Sequence, residues 1–154
     1  MKEGATLPRM GYREVSDAQF EKAVQDLVQQ TGCDKHFYTK VAGASHLNLD
    51  RTSRTRIIGK CEVFETLEFR PEPNNEFDSN AIAIVRRKTD EQLGYLEADL
   101  ATEVAKDFIE YGPCWIAVFC HPNYHPETDA IVGAVIYMLR LPVEKLAAEE
   151  ANEQ

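Results

Sequence analysis

Between Leu67 and Leu96 the chain reads LEFRPEPNNEFDSNAIAIVRRKTDEQLGYL, and the middle of this stretch holds the residues best suited to recognition chemistry. Asn74, Asn75, Asp78 and Asn80 surround an aromatic residue, Phe77. One or two Asn or Asp side chains are enough to fix a turn by bonding its backbone, so this cluster has polar groups to offer a ligand. A carboxylate such as Asp78 can accept from a hydroxyl, and the face of Phe77 can stack on a flat ring. The same residue types also admit a structural role, with Asp78 and Asn80 tying down the turn and Phe77 plugging the core.

Other constellations carry less. Cys120-His121-Pro122-Asn123-Tyr124-His125 has zinc-binding residue types. It is a single cluster, its prolines impose extended backbone and a fourth ligand would have to come from afar, so no metal is expected. Glu65/Glu68 and Asp90/Glu91 fall on strand and turn surfaces with nothing to couple them as acid and base. Ser45-His46 are adjacent, and adjacent strand side chains point to opposite faces. There is no glycine-rich phosphate loop. The sequence points to binding without catalysis and without a cofactor.

The elements that must position these residues are legible from their periodicity. Ser16 and Gln19 form a capping-box pattern, and Phe20, Ala23, Val24, Leu27 and Val28 recur at helical spacing until Gly32, which predicts a helix over about 17–31. Its apolar stripe is expected to pack on the rest of the domain, since an isolated helix of this length is marginal in water. His36 to Ala44 reads as a strand closed by Gly43, followed by a polar loop, His46 to Asp50, and a short helix capped by Thr52 or Ser53. Strands follow around Leu67 and Phe69, over Ala81–Val85 and at Leu93–Leu96. A second long helix is predicted over about 98–111, with Leu100, Val104, Phe108 and Tyr111 inward and Gly112-Pro113 as its stop. Strands near 114–120 and 131–140 complete the set, and the remaining cysteines read as small buried hydrophobes.

With 154 residues, one domain with some decoration is expected. Cys33, Cys61, Cys114 and Cys120 lack Cys-x-x-Cys spacing and the first residues lack an apolar signal-like core, so a reducing cytoplasm is the expected location. No apolar run approaches the roughly 20 residues that span a bilayer. The net charge of −9 opposes generic nucleic-acid binding, which relies on Lys and Arg at phosphates. The charge is uneven, however: residues 34–60 carry six basic and two acidic side chains, whereas residues 61–110 carry five basic and thirteen acidic. The basic segment can form one oriented phosphate site or be a solvated loop.

The central motif resembles the signature of the HIRAN domain, Arg-x-Pro-Asn-Asn-x-(Tyr/Phe)-Asp-x-Asn-Ala-Ile, followed about a dozen residues later by Gly-(Tyr/His)-Leu. Here it begins at Arg70 with an extra Pro71 and ends in Gly94-Tyr95-Leu96. The likeness covers about Phe37 to Leu141. It implies an α+β, mainly β fold: a small antiparallel SH3/OB-like β-barrel with two or three helices. The organisation expected from it is an N-terminal extension with one amphipathic helix (1–33), the barrel (34–141) and an acidic tail (142–154).

Such domains occur at the N-terminus of fork-remodelling Swi/Snf-type helicases and alone in many bacterial and phage proteins. In fork remodellers the pocket beside the motif takes the 3′ end of single-stranded DNA. By position, the resemblance makes Phe77 the stacking residue and Asp78 the reader of the terminal hydroxyl, with Arg70, Asn75, Asn80 and Tyr95 beside them. After Val41-Ala42-Gly43, helicase-type members place an Arg-Tyr pair, whereas this chain has Ala44-Ser45-His46. His46, and Arg51, Arg54 and Arg56 in the insertion that follows, are the candidates to restore DNA contacts there. The implied partner is a DNA 3′ end or stalled fork.

A rival of another class is a small acidic phage or mobile-element protein that docks on a nucleic-acid-processing complex by imitating phosphates. Its acidic face would include Glu97, Asp99, Glu103 and Asp107, expected on the exposed side of the second long helix.

Overall fold

The computed structural model describes residues 6–7 and 15–143. A short antiparallel pair, β1 (Thr6–Leu7) and β2 (Val15–Ser16), precedes helix α1 (Asp17–Thr31). The bounds of α1 match the sequence pattern, and Gly32 takes φ +64° and donates its N–H to Val28 O at 3.0 Å. The cap expected at Ser16 falls on a side chain outside the described set, as does the tail beyond Val143.

Six strands form one antiparallel sheet: β3 (Lys35–Lys40), β4 (Thr66–Pro71), β5 (Ile82–Arg86), β6 (Gln92–Tyr95), β7 (Trp115–Tyr124) and β8 (Ile131–Arg140). Their spatial order is β3-β8-β7-β4-β5-β6. The sheet curls until its two edges touch. Beyond β3, Val41 N–H still bonds Ala134 O of β8, and Ala42 then exchanges both backbone hydrogen bonds with Tyr95 of β6, at 2.7 and 2.9 Å. This is the small antiparallel barrel of an α+β fold, with helix α2 (Arg54–Lys60) and helix α3 (Ala98–Tyr111) packed against its interior.

The alternation of side chains explains the burial. Leu67, Phe69, Ile82, Ile84, Leu93, Phe119, Ile136 and Met138 converge inside with Ile57 and Ile58 of α2 and Val104 of α3. Each such side chain contributes about 1.5–3 kcal/mol when fully buried. Val118, Cys120, Tyr137 and Leu139 face outward and are covered by Phe20 and Val24 of α1. Strands β7 and β8 therefore carry apolar residues on both faces, and the stripe of α1 is packed as its amphipathicity predicts. The strand expected to end at Cys120 continues through Pro122 to Tyr124, beside a register shift between Phe119 and His121. Cys61 and Cys120 are buried, and burial pushes the Cys61 thiol up to about 12 and that of Cys120 upward. Both are hydrophobic fillers at neutral pH.

Two surface expectations are corrected. The Glu65 side chain is withdrawn from solvent, 7% exposed, and accepts from Arg86 Nε at 2.8 Å and from Arg86 Nη2 at 3.0 Å. All five residues of β5 are buried, so the guanidinium that ends it needs internal carboxylates, and Glu91 supplies a second at 2.9 Å. On α3, Asp107 accepts from Trp115 Nε1 at 2.8 Å and from Arg140 Nη1 at 3.3 Å. It belongs to the helix–sheet contact, which leaves Glu97, Asp99 and Glu103 as the exposed carboxylates of that set.

Closure of the barrel depends on Gly94. A Cβ there would lie 2.5 Å from Ala42 O and 2.6 Å from Val41 Cγ1, at φ +156°. Gly94→Ala is expected to destabilise the fold by about 1–3 kcal/mol, the range for forced overpacking. Gly133→Ala, whose Cβ would meet only Asn123 side-chain atoms at 3.7 and 3.9 Å, should be close to neutral. Urea unfolding of both variants measures the difference, and equal midpoints would show that the closure tolerates a side chain.

Candidate functional site

The loop from Pro71 to Ala81 is built by its own side chains. Glu72 N–H bonds Ala81 O at 2.9 Å, the last rung between the flanking strands. Asn75 Oδ1 then accepts from the N–H groups of Phe77 and Asp78, at 2.9 and 3.1 Å, and Asp78 Oδ1 accepts from Asn80 N–H at 2.8 Å. These side chains take the place of a ladder for a segment that has none. With its backbone fixed in this way, the loop holds Phe77 out in solvent, 91% exposed. The core-plug role for Phe77 is thereby excluded; the turn-holding role expected of Asp78 is real and is shared by Asn75, whereas Asn80 joins the turn through its backbone N–H and not its side chain.

Opposite this loop the insertion after Gly43 is equally constrained. Arg54, the first residue of α2, is only 8% exposed. Its Nε donates to Asn48 Oδ1 and its Nη1 to Gly43 O, both at 2.8 Å, and its guanidinium lies 5.2 Å from the centre of the Tyr95 ring. Asn48 Nδ2 bonds Gln92 O and Thr52 Oγ1, each at 3.0 Å. The loop expected to be polar thus presents two leucines on a rigid frame, Leu47 at 59% and Leu49 at 106% exposure.

Between the two loops lies a groove of about 1100 Å³, floored by Tyr95 and Leu96 at the barrel closure. Six of the sequence-predicted residues line it: His46, Arg54, Asn75, Phe77, Asp78 and Tyr95. The others stand apart. Arg70 is ion-paired with Asp90 and, at 3.3 Å, with Glu68. Asn80 is exposed, its N–H capped by Asp78, and Arg51 and Arg56 are exposed on the insertion and on α2. A second cavity of about 360 Å³ adjoins the groove and shares Leu49, Arg54, Glu72 and Tyr95 with it.

Sequence reasoning missed Glu72, Leu47 and Leu49. Glu72 Oε1 accepts from the Tyr95 hydroxyl at 2.9 Å and from Asn75 Nδ2 at 3.0 Å, tying the loop to the closure. Its signal was weak, a single charge between two prolines. The leucines had a clearer one, since their alternation in HLNLD breaks an otherwise polar stretch. Burial, with the neighbouring Glu72 carboxylate, raises the Tyr95 phenol above its ordinary value, so it remains a hydrogen-bond donor at neutral pH. Formal charge in the groove comes from Glu72, Glu76 and Asp78 against Arg54. Among the described residues no group of three or more His, Cys, Asp or Glu is placed to hold a metal, and no helix is long and apolar enough to cross a membrane.

A small antiparallel barrel with two braced loops over its closure has the architecture of a ligand-binding module. The family model of the HIRAN domain matches residues 34–128, and the chain belongs to that family. Among solved structures it is similar to the HIRAN domain of human HLTF, with 18% identity and a TM-score of 0.51 over 73% of this chain and 81% of that one. It also resembles a protein from Lactobacillus plantarum, with 15% identity and a TM-score of 0.49 over 70% of this chain and 98% of that one. No curated protein matches the chain.

Arg54 braces the insertion wall of the groove from inside and lies over the Tyr95 ring of its floor. Arg54→Ala should cost about 2–4 kcal/mol, because Gly43 O and Asn48 Oδ1 lose their donor within the fold. Arg54→Lys should recover only part of this, since an ammonium lacks the planar fork that serves both acceptors. Thermal unfolding of the two variants tests this, and an Arg54→Ala melt equal to the parent's would show that the brace contributes nothing.

Proposed function

We propose that this chain is a non-catalytic module that binds the free 3′-hydroxyl end of single-stranded DNA in the groove between its two braced loops. The observation that carries the reading is Phe77, held in solvent by a self-capped loop and followed directly by a carboxylate in the same groove. Membership of a DNA-binding family supports nucleic acid as the ligand class. An aromatic face offered to a base is worth about 1–3 kcal/mol and tolerates any base. Leu47 and Leu49 extend the apolar rim across the groove. Asp78 uses Oδ1 for Asn80, and its other carboxylate oxygen has no partner among the described residues, so it can accept from a terminal hydroxyl.

Charge argues for an end over an internal stretch. Three carboxylates against one buried guanidinium would repel bound phosphates, whereas a 3′ end presents a hydroxyl in place of the next phosphate. Arg51 and Arg56, exposed outside the groove, are cations available to meet the phosphates that lead to the end. A second reading, in which the acidic surface occupies a partner enzyme's nucleic-acid groove, is favoured by the exposed carboxylates of Glu97, at the N-cap of α3, and of Asp99 and Glu103 in its first two turns. Stalled-fork binding is a further extension of the first reading.

Asp78→Asn separates recognition from folding, because the amide oxygen still caps Asn80 N–H while the free acceptor is lost. The parent should bind a 3′-hydroxyl strand at least about tenfold more tightly than the same strand with a 3′-phosphate, the scale of one charge-assisted hydrogen bond. Asp78→Asn should bring this ratio close to one, with a melting temperature within about 2 °C of the parent's. Electrophoretic titration measures both affinities. A circular single strand that binds as well as a linear one would sink the end-recognition reading, and removal of the α3 carboxylates should leave DNA binding unchanged.

A further inference from the structure

The polar atoms that line the groove are unevenly matched. Glu72 Oε1 is occupied by Tyr95 and Asn75, which fixes the carboxylate and leaves Oε2 without a donor among the described residues. Tyr95 gives its only proton to Glu72, and Asn75 Oδ1 is taken by two backbone N–H groups. Asp78 keeps one acceptor oxygen. On the donor side, Arg54 has Nε and Nη1 committed to Asn48 and Gly43. Donors remain in the lining at Arg54 Nη2, His46 and Asn74, but Glu72 Oε2 and the second Asp78 oxygen are open acceptors on the Phe77 side of a groove whose walls are apolar at Phe77, Leu47 and Leu49. A complementary ligand has flat apolar faces and hydrogen-bond donors on its edge.

We infer that Glu72 reads the terminal base: Oε2 accepts from the exocyclic amino group of a cytosine, adenine or guanine stacked on Phe77, and thymine, which has no such group, is disfavoured. This inference rests on the reading of the groove as a DNA-end site and adds a base preference to it. A carboxylate that accepts from the cytosine amino group is a recurrent pairing, whereas thymine turns the O4 acceptor toward the same position. Glu72 suits the task because it is held on the groove wall by two donors and needs no rearrangement to accept a third. Discrimination follows from leaving acceptor against acceptor, which is more costly than a merely absent bond.

The test is an anisotropy titration of the full chain with 5′-labelled single strands that differ only in the 3′-terminal nucleotide. The terminal nucleotides are dC, dT and the 2-pyrimidinone nucleotide, which keeps the cytosine ring without its amino group. The strand ending in dC should bind about tenfold more tightly than either of the others, as one hydrogen bond to a charged acceptor allows. Glu72→Gln keeps an oxygen for Tyr95 and Asn75 and turns an NH₂ toward the groove, so its order should reverse in favour of dT. Equal binding of the three strands by the parent would overturn the inference and leave end recognition standing, as would a Glu72→Gln variant with the parent's order. The parent comparison needs no mutant, so misfolding of the variant cannot rescue the idea. Failure of every strand to bind would remove the DNA-end reading and this inference together.

Discussion

Two backbone hydrogen bonds between Ala42 and Tyr95 turn a curled sheet into a barrel, and the groove exists because of where that closure falls. The chain reaches β6 from β3 only by leaving the ladder with β8 after Val41, and it leaves the closure through Gly43 at φ +71°. That turn sends the following insertion over the closure, where Arg54 fastens it from below through Gly43 O. On the other edge, Gly94 permits the approach that a Cβ would block, so the next side chain, Tyr95, stands at the groove floor and Leu96 turns into the core. The Gly-Tyr-Leu tripeptide is thus one device with three parts: clearance, a polar anchor and a buried foot.

From this anchor the two walls acquire a shared rigidity. Tyr95 bonds Glu72 at the root of one loop while its ring faces Arg54 at the root of the other. The loops differ in what they display. One carries Phe77 beside Asp78, and the other carries Leu47 and Leu49 on an Asn48 scaffold. Exposed apolar side chains on braced loops are what a preorganised site requires, since ordering them at the moment of binding would consume affinity. The carboxylates of Glu72, Glu76 and Asp78 make the Pro71–Ala81 side of the groove acidic, and on the proposed reading this favours a strand end over a continuous phosphate backbone.

Much of this was legible in the sequence, for particular physical reasons. Helices α1 and α3 show sustained 3.6-residue periodicity and glycine stops, so their bounds could be read directly. The Asn/Asp loop announced its own hydrogen bonding. Burial that depends on distant elements could not be seen. Asp107 looks exposed by helical phase, yet Trp115 and Arg140 reach it from β7 and β8. Glu65 looks like a strand-surface charge until Arg86, twenty-one residues on, is found buried beside it. Arg54 was indistinguishable in sequence from Arg51 and Arg56, but only Arg54 faces inward. Glu72 and the two leucines acquire meaning only once the closure brings their loops together.

Occupation of the groove over the Ala42–Tyr95 closure by a DNA end is a proposal open to direct test. The most direct measurement is a titration of the isotopically labelled chain with a short 3′-hydroxyl single strand, followed by amide chemical shifts. Saturable shifts are expected at Leu47, Leu49, Phe77, Asp78 and Tyr95, with the amides of α1 and the outer face of α3 unmoved. Shifts centred on Glu97, Asp99 and Glu103, or scattered with no focus on the groove, would contradict the proposal.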